Sequence, residues 1–397
     1  MENKLYLKKY RVTLTTRGPL YIGSGQQLKK KDWIMSGKKG YVFDLRKLYL
    51  FLDKKNLLSQ YERFVIGQGR EKDSSLKDWF DSFLSAAELE ELKREATRYT
   101  FDCNGLKENY KNDLQLFVKD GLSRPYVPGS SLKGTIRSIL LSQKLQDKPS
   151  GYAEDVIRDS ANPDKLKDWK YKKQLEKTSK RLETENFYIR NLEKTPTSNP
   201  RQDIMAAVRI SDSLPVDTDR LVICEKYDVY PDGVVPKKKS VNVLRECICP
   251  GTEIVFDLTI DESVFRDIPE DERIDIGMIE RAIAAFSENY QQHFTSKFKT
   301  VGKEIIDRHT IFLGGGSGYH SKTVTIGLLK EKHEDKIIKV SADILHHSLS
   351  ENMQRKGRHD QDEKRYHVSP HMLKMTKYHN ELYQFGMCRI DFKEIKG

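Results

Sequence analysis

Residues 121–141 read GLSRPYVPGSSLKGTIRSILL, a proline-punctuated loop that turns abruptly into an amphipathic helix. Pro128 and Gly129 end the loop, and Ser130 or Ser131 can cap the new helix. Leu132, Ile136, Ile139 and Leu140 then recur at three- and four-residue spacing. Such a helix must bury its stripe against another layer, and stretches of period-two hydrophobicity elsewhere in the chain can supply one. Residues 5–16, LYLKKYRVTLTT, form a strand with a one-residue slip between Leu7 and Tyr10, and residues 41–43 form a shorter one. Beyond residue 203 come IMAAVRISDS, RLVICEKYDV and NVLRECICPGTEIVFDLTI, the last split by Pro250-Gly251, with YQFGMCRIDF as a final strand. Strands interleaved with a few helices predict an α+β fold.

Residues 45–120 read as an inserted helical lobe. Its clearest helix is capped at Ser74-Ser75 and places Leu76, Trp79, Phe80, Phe83 and Leu84 on one side. A second helix follows Asp275, with Ile276, Ile279, Ile283, Phe286, Tyr290 and Phe294 on its buried face. The segment ENMQRKGRHDQDEKRYH, residues 351–367, is polar enough to predict a mobile loop. Seventy Lys and Arg against 59 Asp and Glu give a net charge of +11, which favours polyanionic partners, nucleic acid first among them. Residues 162–194 concentrate ten basic residues against six acidic ones, with Trp169, Tyr171, Phe187 and Tyr188 between them, as a solvated basic helix or a nucleic-acid face. No apolar run approaches membrane-spanning length and no signal peptide opens the chain, so a cytoplasmic protein without membrane partners is expected. Five cysteines, of which just Cys247 and Cys249 are close, predict neither a disulfide framework nor a zinc knuckle. All ten histidines fall between His293 and His379, and Pro370 breaks the helix that His367 and His371 would need as an i, i+4 ligand pair. No metal and no cofactor are expected.

Three segments can carry binding chemistry. At the helix start, the amides of Gly129, Ser130 and Ser131, two hydroxyls and the cations Lys133 and Arg137 converge, and Gly134 permits close backbone approach. This is either a phosphate site or an ordinary capped helix with two solvated cations. Gly23, Ser24 and Gly25 form a turn made cationic by Lys29, Lys30 and Lys31. Gly314, Gly315, Gly316 and Gly318 can bring backbone amides close to a ribose-phosphate chain, with His320 and Lys322 at its edge, or can simply form a tight turn between core elements. A nucleotide-triphosphate loop is excluded because Ser321 stands where Gly must precede Lys322-Thr323, and because residues 324–328 read as a strand and not a helix. For catalysis, Asp32 in KKKDWI is a lone carboxylate beside lysines, without a visible acid or base partner.

The string PGSSLKGTIRS resembles the signature of the RAMP superfamily of CRISPR effector proteins. LTTRGPLYIGSGQ is similar to that family's first strand and glycine turn, RECICPGTEIVFDL to its Arg-Glu and Gly-Thr strand, and FLGGGSGYHSKTV to its glycine-rich loop, in the family's order. Within the superfamily the chain looks most like the type III-A (Csm) subunit that caps the 3′ end of the CRISPR RNA (crRNA). The resemblance implies a ferredoxin-like or RRM-like RAMP core over 1–44 and 121–330, a helical insertion over 45–120 and a C-terminal extension over 331–397. It implies a non-catalytic crRNA-binding role in crRNA maturation and antiviral defence. The implied partners are crRNA, an adjacent backbone RAMP subunit, a small helical subunit, host nucleases that trim the crRNA and, indirectly, target RNA. Two alternatives stay open: a metal-dependent endoribonuclease working through Asp32, and a 5′-end-capping RAMP subunit.

Overall fold

A computed structural model describes residues 6–67, 74–106, 113–147, 152–160, 168–188, 203–235, 243–266 and 268–396. Strand β1 (Leu7–Thr16) is followed by β2 (Gly23–Leu28), β3 (Trp33–Ser36) and β4 (Lys39–Phe43). Tyr10, Val12, Leu14 and Thr16 of β1 are buried in alternation, and its pairing runs without a slip from Leu7 to Thr15. The expected irregularity near Leu7 is absent because Leu7 is exposed at the strand's end and need not face the core.

The helical lobe comprises α1 (Leu45–Lys54), α2 (Leu58–Ile66), α3 (Leu76–Phe83) and α4 (Ala86–Ala96). Ser75 caps α3 in a reciprocal box with Asp78, and Ser85 caps α4 with Glu88. The lobe has a small core of its own, centred on Trp79, whose ring meets Tyr61, Phe64, Phe80 and Phe83 at centroid distances of 4.9 to 5.8 Å. Helix ends at Ala96, short of the expected residue 120. Strands β5 (Thr97–Asp102) and β6 (Leu114–Phe117) follow, because this stretch supplies ladder partners to the main sheet.

Helix α5 (Gly129–Asp147) is followed by α6 (Tyr152–Ser160) and α7 (Asp168–Phe187). Then come β7 (Val208–Ile210), β8 (Leu221–Glu225), β9 (Tyr227–Val229), β10 (Leu244–Ile248) and β11 (Glu253–Asp261). The chain closes with α8 (Ile276–His293), β12 (Thr310–Phe312), α9 (Thr325–His333), α10 (Ile337–Ser348), α11 (Glu351–Gly357), β13 (Leu373–Tyr378), β14 (Glu381–Gln384) and β15 (Met387–Glu394). Asp275 caps α8 as its position suggests, its carboxylate accepting from the Met278 amide. Residues 324–328 open helix α9, not the expected strand, and Leu328 and Leu329 bury against α5 and α8. Tertiary packing overrides β-propensity here.

Three sheets result, in the orders β12-β15-β1-β11-β7, β2-β6-β10-β8-β5-β4-β3 and β14-β13-β9. The last strand, expected in an extension beyond residue 330, pairs with β1 at Leu14–Ile390 and so completes the sheet that the first strand begins. Leu132, Ile136, Ile139 and Leu140 of α5 are buried, and the helix packs against α8, α9 and β7. Beside it, the fully buried Glu246 of β10 accepts from the Phe117 amide at 2.9 Å and pairs with Lys119. Backbone pairing between β10 and β6 covers Leu244 and Arg245, so the Glu246 carboxylate continues the join with a side chain.

Candidate nucleic-acid interface

The loop-to-helix junction and the glycine loop, some 180 residues apart in sequence, meet in one cleft of about 390 Å³. Ser130, Ser131, Gly134 and Ser138 of α5 form one wall; Leu313, Gly314, Ser321 and Lys322 form the other. Among the described residues no carboxylate lines the cleft. Ser130, Gly134 and Lys322 are exposed, and an added Cβ at Gly134 would meet nothing within 4 Å. Lys322 forms no ion pair among the described residues; it reaches solvent, and the cleft walls that desolvate part of its side chain hold its ammonium below the usual lysine range. Open hydroxyls, a helix start and a cation opposite a glycine-rich backbone are the groups that can receive an anion.

Gly129 is buried, and a Cβ there would lie 2.4 Å from the carbonyl oxygens of Ile210 and Ser211. Its amide donates to Asp212 Oδ1 at 2.8 Å, and the Ser131 amide donates to Pro128 O. These two donors therefore serve the protein, which corrects their expected exposure. Arg137 is likewise occupied: it pairs with Asp203 at 2.6 Å and with Glu183, and stacks on Phe187 at 4.2 Å. It ties α5 to α7 through Glu183 and Phe187, and to the chain before β7 through Asp203. Lys133 is half-buried, and burial lowers its pKa against an opposing pull from Asp203. It does not line the cleft.

In the glycine loop, Gly314 and Gly315 press on the chain just before β2. The Gly315 amide donates to Tyr21 O at 2.7 Å, and a Cβ on Gly314, at φ +74°, would lie 2.1 Å from the same oxygen. Gly316 faces Arg245 and Phe385, and Gly318 faces Lys374. His320, expected at the RNA-facing edge, is buried, with Nε2 2.6 Å from Ser369 O. Burial pushes its pKa down to about 4, so it is a neutral core residue. A helix does follow this loop, which removes half of the sequence argument against a nucleotide site. The other half stands: Ser321 is buried and bonded to Gly318 O and Ser317, filling the space a Walker glycine leaves open.

Gly23, Ser24 and Gly25 lie on the exposed edge strand β2: Gly23 pairs with Phe117 of β6, and Ser24 and Gly25, the latter at φ +80°, fall in a register break before Gln27. They reach the glycine loop through Tyr21 and do not line the cleft. Asp32 closes the turn between β2 and β3, its carboxylate accepting from the Lys29 amide at 2.7 Å. Of the basic stretch at 162–194, residues 168–188 form α7 and Tyr188, and the rest lies outside the described residues. Sequence reading missed Thr135, Ser138, Leu313 and Ser321 of the cleft. The spacing Ser131, Gly134, Thr135, Ser138 is a signal for the first two: a small, polar stripe opposite the apolar one.

Comparison with known proteins gives the family and the fold. The RAMP superfamily model matches residues 13–386, and the chain belongs to that superfamily, with its α+β fold. Among curated proteins it is 28% identical over 412 residues to "CRISPR system Cms protein Csm5" of Mycobacterium tuberculosis (strain CDC 1551 / Oshkosh), covering 98% of this chain and 99% of the relative. The protein of that name from Streptococcus thermophilus is 26% identical over 324 residues, 80% of each chain. Two solved structures share the fold. A chain of a Csm-crRNA-target RNA ternary complex from a type III-A CRISPR-Cas system matches with a TM-score of 0.65 and 18% identity, covering 96% of this chain and all of that one. The crystal structure of T. onnurineus Csm5 matches with a TM-score of 0.57 and 20% identity, over 82% and 96% of the two chains.

Proposed function

We propose that this chain is a non-catalytic subunit of a type III-A Csm effector complex that holds the 3′ portion of the crRNA. In this role it ends the filament of backbone RAMP subunits and so helps to set the mature RNA length. The observation that carries the reading is the cleft between α5 and the glycine loop, where Ser130, Ser131 and Lys322 face solvent with no carboxylate among the lining residues. It suits a sugar-phosphate chain held without base readout, as expected where guide–target pairing carries the specificity. The near full-length likeness to Csm5 proteins supports the place in the complex. The adjacent backbone subunit, a small helical subunit and trimming nucleases are the expected partners, and the cytoplasm the expected location. Asp32 does not support cleavage, since its carboxylate is spent on a turn and no second acid or base stands beside it in the described contacts.

The test is a titration of labelled crRNA with the purified chain and its Lys322→Ala, Ser131→Asp and Asp32→Ala variants, with divalent metal present. Lys322→Ala should weaken binding about five-fold at low salt and reduce the slope of log affinity against log salt by about 0.7. Ser131→Asp should weaken it further, and Asp32→Ala should change nothing. Cleavage that disappears in Asp32→Ala would overturn the non-catalytic reading. Within the assembled complex, photo-crosslinks from the cleft should map to the 3′ end of the crRNA; crosslinks at the 5′ end would overturn its placement.

A further inference from the structure

The polar segment after α10 is ordered around a buried carboxylate. Asp362 is 0% exposed, and two imidazoles, His359 and His371, are buried against it. His359 Nδ1 lies 2.9 Å from Asp362 Oδ2, and His371 Nδ1 contacts Asp362 Oδ1. The three ligand-type atoms all lie within 4.8 Å of one another. Ser369 is buried beside them, and its Oγ has no hydrogen bond of ordinary geometry. Tyr366 and Tyr230 lie nearly parallel to the His371 ring, each at 11°, with centroids 4.4 and 5.6 Å away, which fixes its orientation.

Charge balance demands a cation here. Among the described residues no Lys or Arg pairs with Asp362, whose ion-pair partners are the two histidines. With both imidazoles neutral, the interior would hold a net negative charge met by hydrogen bonds alone. Either a proton on one ring or a bound divalent ion removes that charge. The ion suits the arrangement better. Both rings present the same nitrogen, two nitrogens and one carboxylate oxygen converge from three chain positions, and Ser369 Oγ sits beside the carboxylate. Two imidazoles and an oxygen donor match a tetrahedral zinc-type ion, with the serine hydroxyl or a water as fourth ligand. The ligand pair that sequence alone raises, His367 with His371, does not form, because His367 is exposed and His359 takes its place.

We propose that His359, Asp362 and His371 bind one zinc-type divalent ion, which staples residues 359–371 together beneath α10 and against the Tyr230 turn. The site has a structural role, independent of the RNA-binding cleft. It also accounts for the order of a segment whose composition predicts a loop.

The experiment uses the full-length chain, stripped with chelator, given ZnCl₂ and desalted. Metal analysis should find about one zinc per chain, and zinc K-edge X-ray absorption should show nitrogen and oxygen ligands with two imidazoles and no sulfur. His371→Ala and Asp362→Asn should each lower the retained zinc at least ten-fold, and zinc should slow proteolysis within residues 351–366. Absence of zinc uptake by wild type at micromolar metal would overturn the site and leave a proton as the buried cation. Sulfur ligation would overturn it by placing the metal on the buried cysteines, as would full retention in His371→Ala. If the variants misfold by circular dichroism, the wild-type absorption spectrum still decides.

Discussion

Gly129 and Gly134 sit five residues apart on α5, yet the same substitution to alanine should move stability in opposite directions. At Gly129 the new Cβ would lie 2.4 Å from two backbone carbonyl oxygens, Ile210 O and Ser211 O, and 2.7 Å from the Ser211 carbonyl carbon. These are atoms of the chain running out of β7, which is hydrogen-bonded to β11, so they cannot rotate away. The helix start and that chain must part by about 0.6 Å or more, a typical overpacking strain of 1–3 kcal/mol. Parting them also lengthens the 2.8 Å bond from the Gly129 amide to Asp212, worth about 1.5 kcal/mol as a charge-assisted bond. Gly129→Ala should therefore cost about 2–4 kcal/mol. At Gly134 nothing lies within 4 Å, the residue is exposed inside a 19-residue helix, and relief of glycine's backbone entropy should stabilise by about 0.5–1 kcal/mol. Urea unfolding followed by tryptophan fluorescence, which reads the buried Trp33 of the main core, compares the two variants under one condition. The expected gap is about 4 kcal/mol, a factor of roughly 1,000 in the folding equilibrium. Equal stability of the two variants, or a less stable Gly134→Ala, would refute the assignment of Gly129 to close packing and of Gly134 to open space. Gly134→Ala remains foldable and so also tests the cleft wall by RNA titration.

Three further outcomes follow from buried and capped groups. Burial holds the His320 pKa at about 4, below the unfolded value, so the folded chain binds fewer protons in that window. Stability is therefore complete above about pH 6.5 and falls as pH drops towards 4, by roughly 3 kcal/mol in all; His320→Gln should flatten this slope in urea titrations at pH 7.5 and 5, and an unchanged slope would exclude His320 as its source. Glu246→Gln leaves the Lys119 ammonium buried without its carboxylate and should cost about 3–5 kcal/mol, read by denaturant unfolding, whereas a loss below 1 kcal/mol would show that the ion pair does not hold β10 to β6. Glu88 is held down to about 2 by the Ser85 cap and Lys55, so its contribution is present above pH 4.5 and lost as pH falls through about 2. Hydrogen-exchange protection in α4 should fall over that range in wild type and already be lower at neutral pH in Glu88→Ala; equal protection in both would dismiss the cap.

Local chemistry made part of this protein legible from its residues. The stripe of α5, the caps at Ser75 and Asp275, the alternation of β1 and the break at Pro250-Gly251 depend on neighbours within a few positions, and the chain carries those neighbours with it. Ser131 and Gly134 could be singled out the same way, as serine and glycine at a predicted helix start, and Gly314 and Lys322 as a glycine run with a lysine at its edge.

Tertiary structure alone decided which groups remain available. Whether Arg137 meets solvent or Asp203, whether His320 lines a surface or fills a core, and whether Gly129 serves an RNA or Ile210 and Ser211 depend on partners 49 to 82 residues away. Nothing in their local spacing encodes those partners. The same holds for β15 beside β1, and for His359, Asp362 and His371, whose polar sequence suggests exposure. Burial of a charged group is settled by the companions that the fold brings to it.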